Sequence, residues 1–180
     1  MPVKRVLHVI DSLHLGGAQE VVLNLATCGS PRFRHEVATM HGHGIYWNRL
    51  RDAGIKVHSL SPHKYLPAYL ATLPALLLAT RPDILHCHLI PSNIIAKPLG
   101  ALFRVPLILN HDHTNDPHRI DNNLLLALDK STNRHARHII AVAASCREFL
   151  IRHESIPAEK ITLVPNAIDL RRFTPGTISR

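Results

Sequence analysis

The chain has 180 residues, 46% hydrophobic and 19% charged, the balance of a core-forming globular domain and not of a disordered segment. It is basic, with 21 Lys and Arg against 13 Asp and Glu and a formal charge of +8, split evenly at +4 for residues 1–90 and +4 for residues 91–180. These numbers argue against several classes at once. The longest nearly uncharged apolar stretch, Tyr65 to Thr80, contains Pro67 and Pro74 and falls short of the ~20 residues of a membrane-spanning helix. The apolar run between Arg5 and Asp11 is too short for a secretory leader, so a cytoplasmic location is expected. Cys28, Cys87 and Cys146 are odd in number and widely spaced, which reads as buried free thiols and not as a disulfide or CxxC framework. Basic residues are dispersed and only 4% of residues are aromatic, so no nucleic-acid partner is expected.

In chain order, Val3–Ile10 is a β-branched apolar run that stops at Asp11-Ser12, before a loop holding Gly16-Gly17. Ala18, Val21, Val22, Leu25 and Ala26 then recur at three- and four-residue steps, which predicts a helix. Further strands are predicted at Glu36–Met40, Lys56–Leu60, Asp83–His88, Pro106–Asn110, His138–Ala143 and Ile161–Pro165. Between them, helical patterning covers Ile45–Ala53, Leu66–Ala79, Ser92–Phe103, Arg119–His135 and Ala144–His153. Short apolar strands alternating with helices indicate βαβ units, hence an α/β, Rossmann-like, doubly wound and mainly parallel sheet with helices on both faces. Ligands of such sheets bind beyond the carboxyl ends of the strands, where the strand order reverses.

The residues at those ends are therefore the candidates. Gly16 and Gly17 precede a helix and would let backbone N–H groups approach an oxygen-rich ligand, although the spacing is neither GxGxxG nor GxxxxGK[ST]. A tight turn alone is the competing reading. In Asp83–Ser92 (DILHCHLIPS) His86 and His88 are two apart on a strand and share a face, with Cys87 on the other. Such a pair would hydrogen-bond a polar ligand, hold a metal, or serve structurally. In Asn110–Asp116 (NHDHTND) His111 and His113 are candidates to accept a proton or to meet sugar hydroxyls, with Asp112 or Asp116 orienting an imidazole. Fifteen histidines in all make any attraction to anions pH-sensitive.

Four segments in order resemble the N-terminal domain of retaining GT-B glycosyltransferases of family four: VLHVIDSLHLGGAQEVVLNLA, RPDILHCHLIPSNIIAKPLGALFRVPLILNHDHT, HARHIIAVAASCREFLIR and ITLVPNAIDLRRFTP. The last is similar to the PNGhDxxRF that closes the domain, with Ala167 where the family usually has glycine. The resemblance implies one half of a GT-B fold: an acceptor-side domain over residues 1–165, and the start of an interdomain linker over 166–180. The donor-binding C-terminal domain would lie beyond this chain. It implies a nucleotide-sugar co-substrate and no bound cofactor or metal. The partner is a glycan or lipid-linked acceptor. It places Gly16 and Gly17 near phosphates, His113 or His111 against the transferred sugar, and His86, His88 and Asn166 in substrate binding. The chain alone is expected to be inactive.

Two other readings stay open: a stand-alone binding or regulatory module that pairs with a donor-binding partner, and a metal-dependent hydrolase using His86, His88, His111 and His113. Between Ala53 and His111 the only acid is Asp83, against Lys56, Lys64, Arg81, Lys97 and Arg104. With Tyr65, Leu66, Tyr69 and Leu70, this window suggests peripheral contact with an anionic membrane surface, set against the plainer reading of Leu66–Ala79 as a core helix.

Overall fold

A computed structural model of the chain describes residues 2–113, 119 and 121–167. Asp116 and the Arg171-Arg172 pair, singled out above or in the motifs, lie outside them.

The elements run β1 (Lys4–Ile10), α1 (Gly17–Thr27), β2 (Phe33–Thr39), α2 (Ile45–Asp52), β3 (Lys56–Ser59), α3 (Leu66–Thr80), β4 (Ile84–His88), α4 (Ile90–Leu102), β5 (Leu107–Asp112), α5 (Asn123–Thr132), β6 (His138–Ala141), α6 (Ala144–Arg152) and β7 (Ile161–Leu163). All seven strands pair in parallel in the order β3-β2-β1-β4-β5-β6-β7. The order reverses between β1 and β4. That places the crevice at Ile10 and His88, the two strand ends the sequence puts beside its polar loops.

Side-chain alternation sorts the strands into two faces. Leu7, Val9, Leu85, Cys87 and Ile108 pack with Leu73 and Leu77 of α3 and Ala96 of α4. Gly100 of α4 permits this approach, since a Cβ there would stand 2.4 Å from Leu85 Cδ2. The opposite face carries Ile10 and Val37 against Val22 and Leu23 of α1 and Leu50 of α2. Ile139 and Ala141 pair with Asn110 and Asp112, so the cluster they form with Leu150 of α6 belongs to the first face. On the second face α1 and α2 serve β1 to β3, and the same face of β4 and β5 carries His86, His88 and His111 in place of apolar residues.

Several expectations change. β5 runs on to Asp112 because parallel pairing with β4 and β6 continues (His88 with His111, Asp112 with Ala141), so His111 is a strand residue and not a loop residue. The helix expected from Arg119 is described as helix α5 from Asn123, where the Asn122 side chain caps it by accepting from the Leu125 N–H. It ends in a 3-10 turn at Asn133–His135. Cys87 and Cys146 are buried, but Cys28 is exposed, because it lies past the last turn of α1 and outside its buried stripe. Tyr69 does not face outward with Tyr65, Leu66 and Leu70; it is 6% exposed and its hydroxyl donates to the His63 carbonyl. Leu66–Thr80 is indeed a packed helix.

Candidate functional site

The second-face histidines lie in a diagonal. His35 of β2 stands opposite Val6, His8 opposite His86, and His88 opposite His111. Their rings touch edge to edge: His35 Nδ1 and His8 Nε2 at 2.9 Å, His8 Nδ1 and His88 Nε2 at 3.1 Å, His88 Nδ1 and His113 Nε2 at 3.0 Å. His86 stacks on His111 at 5.2 Å between centroids, and His111 on His113 at 4.3 Å. Burial holds these rings neutral by disfavouring the charged form: His8 and His111 fall to about 3, His113 to about 4, and His86 and His88 lie well below the usual value.

Two cavities open on this cluster. One, of about 190 Å³, lies at the crevice and is lined by Asp11 after β1, Leu89 to Pro91 and Asn93 at the start of α4, and His111, Asp112, His113 and Arg119. The other, of about 280 Å³, lies between α1 (Val21, Asn24, Leu25) and Val164 to Ala167, with His111 in its wall. Free hydrogen-bonding capacity converges on the first. His113 Nδ1, both nitrogens of His111 and Asn93 Oδ1 are buried without a partner among the described residues. Neutral imidazoles and an amide oxygen, with the Asp11 carboxylate and the paired Asp112 and Arg119 in the same wall, suit a hydroxyl-rich ligand.

The crevice edge is under tension. Leu89, at the start of α4, has φ 66° and ψ 159°, a region that glycine adopts and side chains avoid, at a cost of about 1–3 kcal/mol. The Ser92 hydroxyl donates to the His88 and Leu89 carbonyls and holds the turn.

Bordering the cavity through Asp112 and Arg119 lies a buried ionic network the sequence did not reveal. Arg119 grips Asp112 with two bonds of 2.9 Å and reaches Glu154 at 3.0 Å and Asp129 at 3.4 Å. Lys97 donates to Asp129 at 3.0 Å and to Asn133 at 2.6 Å, and Asn110 joins through Asn133. Asp112 therefore anchors Arg119, and along the strand Asn110 and Asp112 alternate with His111 and take the opposite face of the sheet. Burial, then Asp129, pushes Glu154 up to about 8.

The outcome for the expected residues is mixed. His111 and His113 line the crevice, His88 lies buried behind His113 at 5.3 Å between centroids, and His86 lies beside His88 at 4.2 Å. Asn166 and His111 both line the second cavity. Gly16 and Gly17 stand at the start of α1, outside the lining of either cavity, with an extended φ of 176° at Gly16 and open space around Gly17. The glycine that geometry demands is Gly44, at φ 79° with Leu13 O only 2.3 Å from where its Cβ would be. The metal option meets two histidine triads, His8-His86-His88 and His88-His111-His113, with nitrogens within 4.8 Å. Both share His88, whose two nitrogens are already taken by His8 and His113. Ala167 is not among the residues with positive φ.

A doubly wound half-domain with a histidine-lined crevice at its switch point is one half of a GT-B fold. Residues 15–172 match Glycosyltransferase Family 4, and the chain belongs to that family. Among curated proteins none matches the sequence. Of solved structures, it is similar to Anabaena HepE in complex with UDP and glucose, at 19% identity over 96% of this chain and 47% of that one, TM-score 0.79. It is also similar to the lipopolysaccharide outer core galactosyltransferase WaaB (15%, 98% and 50%, TM-score 0.70). A third likeness, to the UDP-GlcNAc 2-epimerase of Neisseria meningitidis bound to UDP-GlcNAc, has 15% identity over 88% and 46%, TM-score 0.63. The chain spans about half the length of each. At such identities the likeness is one of fold; it is membership of the family that supports glycosyl transfer.

Proposed function

We propose that the chain is the acceptor-side half of a retaining glycosyltransferase that moves a sugar from a nucleotide-sugar donor to a glycan or lipid-linked acceptor. The observation that carries this reading is the crevice cavity in a member of this family, where His111, His113 and Asn93 offer unpartnered polar atoms beside Asp11. His113 meets the transferred sugar, His111 supports it, and His86 and His88 hold the floor. Gly16 and Gly17 face phosphates from the start of α1, and Asn166 contributes where residues 166–180 lead toward a donor-binding domain. That domain supplies the stabilisation of the leaving diphosphate, so the chain alone is inactive; no bound cofactor is needed beyond the nucleotide sugar.

The test is turnover of UDP- and GDP-sugars with lipid-linked acceptors. The chain alone is expected to give none. Joined to a donor-binding domain it turns over, and His113→Ala lowers kcat by at least ~100-fold. Turnover by the chain alone that disappears on His113→Ala would refute the division of labour. Acceptor binding without turnover in either form would favour the regulatory-module reading.

A lipid-linked acceptor places the domain at the cytoplasmic membrane face. No helix among the described residues is long and apolar enough to cross a membrane, so contact would be peripheral. Tyr65, Leu66 and Leu70 are exposed at 59%, 52% and 50% beside Lys64, beyond the carboxyl end of β3. Co-sedimentation with liposomes is expected to rise with phosphatidylserine and fall with salt, each basic group near the surface being worth ~1 kcal/mol. Binding indifferent to both removes this contact.

A further inference from the structure

Four imidazoles, on β2, β1, β4 and the residue directly after β5, form one head-to-tail series, His35, His8, His88, His113, each standing two residues further along the chain than the position level with the ring before. A neutral imidazole has one N–H and one lone pair. The two inner rings spend both nitrogens on their neighbours. The series therefore has only two self-consistent arrangements, every ring protonated at Nδ1 or every ring protonated at Nε2. The free ends are His35 Nε2 and His113 Nδ1, both buried and unpartnered among the described residues.

We propose that His35, His8 and His88 are positioning residues that lock His113 as the Nε2–H tautomer, so that its Nδ1 lone pair accepts a hydrogen bond from a hydroxyl of the bound sugar or acceptor. The direction is set at the far end. His35 Nε2 lies against Gly29, where a Cβ would be 2.8 Å from that nitrogen and 2.9 Å from the carbonyl oxygen of Leu25. This carbonyl belongs to the last turn of α1, where intrahelical donors run out and the helix end carries partial negative charge. His35 Nε2 makes no hydrogen bond to it, but the negative end of the helix bordering that nitrogen favours an N–H there. His8 then donates from Nε2 to His35 Nδ1, His88 from Nε2 to His8 Nδ1, and His113 from Nε2 to His88 Nδ1. The histidine at the crevice is thereby made an acceptor by a ring three strands away. The ligand class rests on the glycosyl-transfer reading; the lock itself does not.

Long-range proton–nitrogen correlation spectra of the 15N-histidine-labelled chain test the lock without donor or acceptor substrate, so its failure is separate from failure of the activity. His8, His88 and His113 are each expected to show a pyrrole-type Nε2 and a pyridine-type Nδ1. A pyrrole-type Nδ1 at any of the three overturns the proposal. His35→Phe, at the half-buried edge, is expected to turn the single tautomer of His113 into a mixture, while His35→Gln, whose amide oxygen accepts from His8, keeps it single. A His113 pattern identical in wild type and His35→Phe overturns the lock. If His35→Phe does not fold, the wild-type pattern decides alone. Tight Zn2+ binding that shifts the same ring nitrogens shows a ligand set instead, and overturns it too.

Discussion

Lowering the pH from 6.5 to 5.0 is expected to destabilise the fold by at least about 3 kcal/mol, a large share of the ~5–15 kcal/mol typical of a domain. His8 and His111 titrate at about 3 and His113 at about 4 in the folded chain, against 6.5 when unfolded. Below pH 6.5 the unfolded state binds protons that the folded state refuses, so stability falls as pH falls, by ~1.4 kcal/mol per unit for each group. Because the unfolded imidazoles are only half protonated at pH 6.5, the loss over 1.5 units is roughly 1.6 kcal/mol each, about 5 kcal/mol for the three. Glu154 opposes the change. Raised from 4.5 to about 8, it is already protonated in the folded state, and acidification over the same range returns about 2 kcal/mol. His86 and His88 are shifted in the same direction as the other three and add to the loss. Urea denaturation at the two pH values measures the difference, and equal midpoints would mean that water reaches the rings.

Lys97→Met should cost about 3–5 kcal/mol, because it removes the closer of the two cations that hold Asp129 in the interior, leaving Arg119 at 3.4 Å, and takes the ammonium from the Asn133 side-chain oxygen. Lys97 and Asp129 are both fully buried, and the desolvation of the carboxylate is only partly offset, by Arg119, once the ammonium is gone. Lys4→Met is the contrast. It breaks the exposed pair with Asp83 and should change stability by less than ~1 kcal/mol. Denaturant midpoints of the two variants decide, and a Lys97→Met loss as small as that of Lys4→Met would refute the account of the network.

The sheet was legible in the sequence because apolar runs such as Val3–Ile10 and Asp83–His88 carry a period that belongs to the strand itself. So were His88 and His113, which terminate or follow such runs. His8 and His35 were not. Each is one polar residue inside an apolar or mixed strand, and only the order β2-β1-β4-β5 shows that they stand in line with His88 and His113. Lys97 and Asp129 escaped for the opposite reason: on a helix a lysine and an aspartate read as solvent-facing, and they are buried here by pairing with each other across α4 and α5. Gly16 and Gly17 drew attention as a pair, yet the position that tolerates no side chain is Gly44, whose partner Leu13 lies in another loop that local spacing cannot foresee.

His111 stands in the wall of both cavities, with Asn93 and His113 on one side and Leu25 and Asn166 on the other. One five-membered ring is thus the partition between two chambers. Whatever tilts it to widen one narrows its neighbour, so neither room can be resized by changing this residue without remodelling the other.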